Sequence, residues 1–226
     1  MNTIWASITS ADLGRLADVA VSLQEAGADG IHVDVADGVF VPDLTFGHRT
    51  IRALTDVVHI PVEAHLMVST PEEQLRAAAD AGASRVAFHC ESTRYPARVA
   101  SVARNLGVTA GMALNPVSEL AALGYLTEGL DFINLLTTEP DLAGERMLEM
   151  MAERVRRARA VFGTRLEIQV DGDLSSSNIG PLAQAGARHF VVGRALVNQP
   201  DPSAALAALR AAARDVNDEA VQPNFG

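Results

Sequence analysis

The chain has 226 residues, of which 48% are hydrophobic, and its formal net charge at pH 7 is −10. This size and composition suit one compact α/β domain, and the acidic charge argues against a nucleic-acid partner, which needs clustered cations. All 18 basic residues are arginines. Without lysine the chain cannot form the Schiff bases of lysine aldolases or pyridoxal-phosphate enzymes, and it cannot build a GxxxxGK phosphate loop.

Cysteine content and hydropathy indicate the cellular compartment in which the protein is expected. Cys90 is the only cysteine, which excludes an internal disulfide and fits a reducing environment. No apolar run reaches the ~18 residues of a membrane span. The N-terminal segment lacks the charged region and apolar stretch of a secretory signal. We therefore expect a cytoplasmic protein with no membrane partner.

Short β-branched runs alternate with Ala-, Leu- and Arg-rich stretches of helical periodicity along the chain. Strands are expected near residues 4–8, 30–35, 61–66, 84–89, 109–114, 131–136, 165–170 and 188–192. Helices are expected over residues 12–26, 48–57, 71–82, 95–106, 117–126, 145–162, 176–186 and 202–214. Eight such units with short connections predict a parallel sheet closed into a (β/α)8 TIM barrel, and an open doubly wound sheet is the alternative.

The barrel is expected to form a single domain over residues 1–214, followed by a polar C-terminal tail over residues 215–226. Helix punctuation supports this division into units. Ala-Gly-Ala recurs before strands at 26–28, 81–83 and 185–187, where glycine suits the left-handed residue that ends a helix. Ser10-Ala-Asp and Thr70-Pro71 are typical of helix starts, with Ser69 and Thr70 competing as the cap.

Four titratable residues are expected at the carboxyl ends of strands, where active sites of such barrels lie. His32 and Asp34 are two apart on one strand and face the same side. His65 ends the third strand and Asp171 the seventh. Each alone has a structural explanation: a hydrogen-bonded core pair, a packed strand histidine, and a helix-capping acid. Together they can converge on one metal ion, with zinc the first expectation and iron, manganese or cobalt the alternatives.

An ordered series of short motifs extends this pattern over nearly the whole chain, from about residue 4 to residue 212. They are residues 6–8 (ASI), 31–42 (IHVDVADGVFVP), 64–67 (AHLM), 88–91 (FHCE), 113–116 (ALNP), 170–172 (VDG) and 192–193 (VG). In these motifs the chain resembles the ribulose-phosphate 3-epimerase family, as a divergent member.

The resemblance implies an isomerase in which His32, Asp34, His65 and Asp171 hold the metal. Asp34 and Asp171 would also form the acid–base pair that removes a proton from C3 of a ketose and returns one on the opposite face. The default pair is D-ribulose 5-phosphate and D-xylulose 5-phosphate. A cation is needed because a plain carboxylate ionises such a carbon acid too slowly unless the resulting enediolate is stabilised.

The resemblance also implies substrate contacts. Ser7 would lie near the substrate, and Met67 matches one of the methionines with which the family lines the ligand plane. Glycine-rich turns after strands six, seven and eight would bind the phosphate through backbone N–H groups. Those turns contain Gly144, Gly172 and Gly193.

The chain departs from the family in two regions. Ala36 and Leu136 replace usual methionines, which alters pocket shape without removing the chemistry. In the phosphate turns, Pro-Gly-Phe-Gly-Gly has become residues 140–144 (PDLAG), Asp-Gly-Gly ends in Asp173, and Gly-Ser has become Gly-Arg with Arg194.

These replacements change the charge expected near the phosphate. Asp141 and Asp173 would place carboxylates there, while Arg194, or Arg146, could neutralise them or bind the phosphate directly. The side chains could also point to solvent and leave the backbone to bind it. Two alternatives follow: the same chemistry on a non-phosphorylated or otherwise different sugar, and a non-catalytic barrel that binds metal or sugar.

The remaining residues of interest are expected to be structural. His48 and His59 are interpreted as surface residues, and His89 as a packed strand histidine. Cys90 lacks a charged helix start beside it and is not expected to be reactive. Asp37 is expected to stabilise the turn after strand two. A homo-oligomer is expected, since barrels of this kind commonly assemble.

Overall fold

Eight parallel strands close into a barrel in the computed structural model, which describes residues 2–139, 146–147 and 149–214. The strands follow one another around the barrel in chain order, and the last pairs with the first. They are β1 (Thr3–Ser7), β2 (Gly30–Ala36), β3 (Val62–Met67), β4 (Arg85–His89), β5 (Thr109–Leu114), β6 (Phe132–Leu136), β7 (Glu167–Asp171) and β8 (His189–Val192). The predicted (β/α)8 barrel is confirmed, whereas the expected tail over residues 215–226 lies outside the described residues.

The helices pack around the barrel. They are α1 (Leu16–Glu25), α2 (His48–Thr55), α3 (Pro71–Asp80), α4 (Pro96–Asn105), α5 (Met151–Phe162), α6 (Ile179–Ala185), α7 (Arg194–Val197) and α8 (Pro202–Ala212). In the described part of the chain, no helix is long and apolar enough to cross a membrane.

Three helical elements differ from the expectation. Helix α5 begins at Met151 and not at residue 145. The helix expected over 117–126 is a 3-10 helix over Ala121–Glu128, in which only Leu126 is buried. So little packing gives a full α-helix weak support. The short helix α7 was not expected, because four residues are too few to show a helical period.

Helix punctuation is largely as predicted. The glycines of the three Ala-Gly-Ala repeats have φ values of 95°, 99° and 114°, which L-residues with a side chain rarely adopt. Thr70 occupies the N-cap position of α3, but its hydroxyl donates to the Glu73 carboxylate and makes no hydrogen bond to the helix backbone. The expected Ser10 cap is wrong: the Asp12 carboxylate accepts the N–H of Gly14 instead, because the chain turns there in a short 3-10 helix before α1.

The apolar core lies between sheet and helices, and the barrel interior is largely polar. On β2, Ile31, Val33 and Val35 are buried in the core cluster, while His32 and Asp34 alternate with them. The other fully or almost fully buried polar side chains on the strands are Glu63, His65, His89, Asn134 and Gln169. Buried polar groups are costly unless they are hydrogen-bonded, so this interior predicts an organised network.

Candidate metal centre

Four side chains converge at the carboxyl end of the barrel. His32 and Asp34 come from β2, His65 from β3 and Asp171 from the last position of β7. The strand register places Asp34 beside His65. One ligand atom from each residue lies within 4.8 Å of all the others. The structure therefore brings together the four residues that the sequence singled out.

The distances within this cluster fit a common ion. The Nε2 of His32 and the Nδ1 of His65 each lie 3.0 Å from Oδ1 of Asp34. The same two nitrogens each lie 3.4 Å from Oδ2 of Asp171. Ligands that surround one ion at bond lengths of about 2.0–2.1 Å are separated by roughly 3 Å, so the donor set and its spacing suit a divalent metal.

A buried network determines which nitrogen His32 offers to the site. Its Nδ1 lies 2.9 Å from Oε1 of Glu63, a fully buried carboxylate. Glu63 also accepts Nε2–H of Gln169 at 2.6 Å and Nε–H of Arg85 at 2.8 Å. Because the carboxylate accepts a hydrogen bond from Nδ1–H, the Nε2 lone pair of the imidazole is directed at the cluster whenever His32 is neutral.

The cation of this network is itself enclosed. The guanidinium of Arg85 lies 4.6 Å from the ring centre of Trp5 and 4.0 Å from that of Phe132. Burial alone would raise the pKa of Glu63, but the hydrogen bond from His32 and the charge of Arg85 outweigh it and lower that pKa. Glu63 is therefore an anion deep in the barrel.

A second relay positions His65. Its Nε2 lies 3.0 Å from Nε2 of His89, whose Nδ1 lies 3.1 Å from Oε2 of Glu91. Glu91 accepts the N–H of Asn115 at 2.8 Å and the hydroxyl of Ser118. Burial opposes these contacts, but they bring the pKa of Glu91 down to about 2. The anionic Glu91 accepts a hydrogen bond from Nδ1–H of His89, and Nε2 of His89 accepts one from Nε2–H of His65. This arrangement leaves the Nδ1 lone pair of His65 free for the cluster.

These supporting residues were not predicted from the sequence. His89 is a packed strand histidine, as expected, but its role as a partner of His65 was missed. The sequence contained one signal for them, because residues two apart on a strand face the same side. Glu63 is two residues before His65 on β3, and Glu91 is two residues after His89. Which partner each side chain contacts depends on the register between neighbouring strands, and the sequence does not give that register.

The cluster is electrostatically prepared for a cation. Burial alone lowers the pKa of His32, yet the charges of Asp34 and Asp171 outweigh it and hold that pKa well above its ordinary value. Burial alone raises the pKa of Asp34, but His32 and His65 outweigh it and hold that pKa well below its usual range. The carboxylate of Asp34 is thus anionic at the position where a divalent ion would bind.

Hydroxyl and amide groups also contact the two aspartates. Ser7 donates to Oδ2 of Asp34 at 3.0 Å, and Thr9 donates to the same oxygen. Asn134 donates to Oδ2 of Asp171 at 3.4 Å. Ser7 therefore lies beside the cluster, and its predicted contact with the substrate stays a prediction.

A cavity of about 180 Å³ opens directly over the cluster. Asp34, His65 and Asp171 form its floor, and Met67 and Leu136 contribute apolar walls. Ala36 also lines it, so both replaced methionine positions face this space. The cavity thus has a polar floor and apolar walls, which suits a small polar molecule.

A second cavity, of about 420 Å³, continues the first and is lined by the turns after β7 and β8. Gly172, Asp173, Gly193 and Arg194 line it, whereas Gly144 and Asp141 lie outside the described residues. Gly172 has φ 123°, and a Cβ there would lie 2.8 Å from the hydroxyl oxygens of two threonines, so glycine is required.

Asp173 and Arg194 form an ion pair on the wall of this outer cavity. The Nη2 of Arg194 lies 3.2 Å from Oδ1 of Asp173, and the N–H of Met147 donates to Oδ2 at 3.2 Å. Asp173 has φ 48° and is the only non-glycine residue with positive φ in the described part of the chain. Arg146, the other candidate cation, is exposed.

The residues interpreted as structural agree with that interpretation. His48 and His59 are exposed. The carboxylate of Asp37 accepts backbone N–H groups of its own turn and both donors of Ser69. Burial alone would raise the pKa of Asp37, but these hydrogen bonds lower it and stabilise the turn. Burial and the neighbouring Glu91 raise the pKa of the Cys90 thiol, which fits an unreactive cysteine.

Fold and site together define a (β/α)8-barrel with a His₂Asp₂ cluster, able to hold a metal ion, at its carboxyl-terminal mouth. Residues 3–197 match the model of the ribulose-phosphate 3 epimerase family. The chain belongs to this family.

Curated relatives agree with this assignment over most of their length. A ribulose-phosphate 3-epimerase of Mycobacterium tuberculosis (strain ATCC 25618 / H37Rv) is 37% identical over 207 residues, covering 90% of each chain. That of Escherichia coli (strain K12) is 33% identical over 217 residues, covering 94% of this chain and 96% of its own. The predicted family and enzyme class, an isomerase that epimerises carbohydrates, are confirmed.

Solved structures share the fold at lower identity. 3-Hexulose-6-phosphate synthase from Salmonella typhimurium superposes with a TM-score of 0.71 at 17% identity, covering 94% of this chain and 98% of that chain. Orotidine 5'-phosphate decarboxylase from Pyrococcus horikoshii OT3 gives a TM-score of 0.69 at 19% identity, covering 95% and 100%. At such identities the likeness supports the barrel fold alone.

Proposed function

We propose that the chain is a metal-dependent ketose-phosphate 3-epimerase that interconverts D-ribulose 5-phosphate and D-xylulose 5-phosphate. The observation that carries the proposal is the convergence of two histidines and two carboxylates at the barrel mouth of a chain from this family. A divalent ion held there would stabilise negative charge on the substrate oxygens next to the reacting carbon.

The placement of the two aspartates supports inversion at C3. Asp34 is on β2 and Asp171 on β7, and β8 and β1 lie between these strands. They therefore approach the inner cavity from different sides. One carboxylate would take the C3 proton and the other would return a proton to the opposite face. Ser7 and Thr9 hold one oxygen of Asp34, which limits the rotation of that carboxylate.

The remaining predicted contacts have matching roles in this proposal. Met67 would pack against the flat reacting part of the sugar, and Ser7 would lie near a substrate hydroxyl. Gly172, Asp173, Gly193 and Arg194 line the outer cavity, which would take the phosphate end. Among metals, we propose zinc first, because two imidazoles and two carboxylates at this spacing suit it, with iron, manganese or cobalt as alternatives.

Isotope exchange tests the reaction itself. Metal-loaded protein is incubated with D-ribulose 5-phosphate in D₂O, and NMR follows the C3 proton and the appearance of D-xylulose 5-phosphate. We expect loss of the C3 proton signal together with epimerisation, abolition of both by a chelator, and recovery on adding zinc. Separate additions of iron, manganese and cobalt rank the metals. An unexchanged C3 proton across a panel of ketose phosphates would refute the proposal.

A second candidate is the same chemistry on a ketose without phosphate. Besides Asp171, three acidic residues line the outer cavity: Asp43, Glu139 and Asp173. Their negative charge disfavours a phosphate there and so favours this candidate. A free ketose turned over faster than its phosphate, with no competition from inorganic phosphate, would support this candidate. A homo-oligomer and a cytoplasmic location remain predictions from the sequence.

A further inference from the structure

We propose that Arg194 binds the substrate's phosphate directly, and that Asp173 holds the guanidinium in place until the phosphate displaces it. This inference rests on the proposed function, because it assumes a ketose phosphate in the site. It assigns to one side chain a task that the backbone of glycine-rich turns would otherwise perform.

The location of Arg194 supports this role. Thr138, Asp171 and Gly172 line both the inner and the outer cavity, so the two form one continuous cleft. A ketose with its reacting carbons over Asp171 would extend its far end into the outer cavity. Arg194 lies on the wall of that cavity, and it is the only cation among the described residues that line it.

The charge of the outer cavity makes a cation necessary for a phosphate. Asp43, Glu139 and Asp173 contribute carboxylates to its lining. A phosphate dianion would be repelled by all three, and backbone N–H groups carry only partial charges against them. A guanidinium carries a full charge and can donate two parallel hydrogen bonds to phosphate oxygens.

The ion pair with Asp173 is weak enough to be exchanged. It rests on one contact of 3.2 Å, with side chains that are 53% exposed for Arg194 and 33% for Asp173. Exposed single-contact pairs contribute little to stability, whereas a bidentate pair with phosphate is stronger. Once Arg194 turns to the phosphate, the carboxylate of Asp173 keeps the N–H of Met147 as a donor. The exchange therefore leaves Asp173 with one hydrogen-bond donor.

Three variants separate this role from a structural one. Arg194→Gln removes the charge, Arg194→Lys keeps the charge without the planar fork, and Asp173→Asn frees the arginine while retaining a residue that tolerates positive φ. The measurements are kcat and KM for D-ribulose 5-phosphate and the inhibition constant of inorganic phosphate. Arg156→Gln on α5 is the matched control, since Arg156 is 58% exposed and pairs with Glu153 on the outer helix.

We expect Arg194→Gln to raise KM and the phosphate inhibition constant at least tenfold, with kcat changed less than twofold. Arg194→Lys should fall between wild type and Arg194→Gln. Asp173→Asn should lower both constants about threefold, because the guanidinium no longer has a competing partner. Arg156→Gln should leave all of them unchanged.

Several results would overturn the inference. One is an Arg194→Gln variant whose KM and inhibition constant stay within twofold of wild type. Another is an Asp173→Asn variant that weakens phosphate binding as much as Arg194→Gln, which would make the pair structural. Faster wild-type turnover of an unphosphorylated ketose would also count against it while leaving the epimerase chemistry intact. By contrast, wild-type protein that exchanges no C3 proton would refute the proposed function itself.

Discussion

The inner cluster and the outer cavity are built in different ways. In the inner cluster, His32 and His65 are buried, and each has its second nitrogen bound by a partner that has further partners of its own. In the outer cavity, Arg194 is half exposed and meets Asp173 through a single contact. The barrel strands thus hold the reacting groups rigidly, while loop residues contact the far end of the substrate and can be replaced at little cost to the fold.

The largest expected difference between the two regions is in turnover. We expect Asp171→Asn to lower kcat by roughly 10²- to 10⁴-fold, because an amide cannot exchange the proton that a carboxylate transfers. Asp173→Asn, the same change two residues along, should leave kcat within twofold. Steady-state kinetics of metal-loaded proteins and measured metal content check this. Unchanged turnover in Asp171→Asn would favour a barrel in which the metal has a structural role.

The second expected difference is in stability. Glu63→Gln leaves Arg85 buried between two aromatic rings without a counter-charge, and we expect it to cost about 3–5 kcal/mol of unfolding free energy. Glu167→Gln changes an exposed carboxylate on β7 and should cost less than about 0.5 kcal/mol. Urea unfolding monitored by circular dichroism measures both.

The pH dependence of stability adds a signature for Glu63. Its pKa is lower in the folded chain than the ordinary 4.5, so its contribution is fully present above pH 4.5 and is lost as the pH falls toward the folded-state pKa. Glu63→Gln should lack that part of the acid dependence. Equal losses for Glu63→Gln and Glu167→Gln, at every pH, would contradict the buried network.

The smallest expected effect concerns the backbone of the outer cavity. Asp173 has φ 48°, a conformation that Asn and Gly adopt readily and that a β-branched residue resists. We expect Asp173→Asn to change the unfolding free energy by less than about 0.5 kcal/mol and Asp173→Val to lower it by about 1–3 kcal/mol. Thermal unfolding compares the two, and equal melting temperatures would show that this turn relaxes without cost.

Much of the barrel could be predicted from the chain alone, because strands and helices differ in the period of their apolar residues. All eight strands begin and end within two residues of their expected positions. The short helix α7 could not be predicted, since one turn carries no period. The 3-10 helix at Ala121–Glu128 was expected as a longer helix, because its leucines follow helical spacing although only Leu126 is buried.

The sequence by itself determined the barrel and the four residues of the inner cluster, because strand alternation and the position of strand ends follow from local order. Only the tertiary structure decided that Glu63 supports His32, that Glu91 supports His65 through His89, and that Asp173 meets Arg194. The physical reason is that these contacts join residues distant in the chain, 31 apart for His32–Glu63, 24 for His65–His89 and 21 for Asp173–Arg194. Partners across neighbouring strands depend on register and side-chain direction, which local periodicity does not contain.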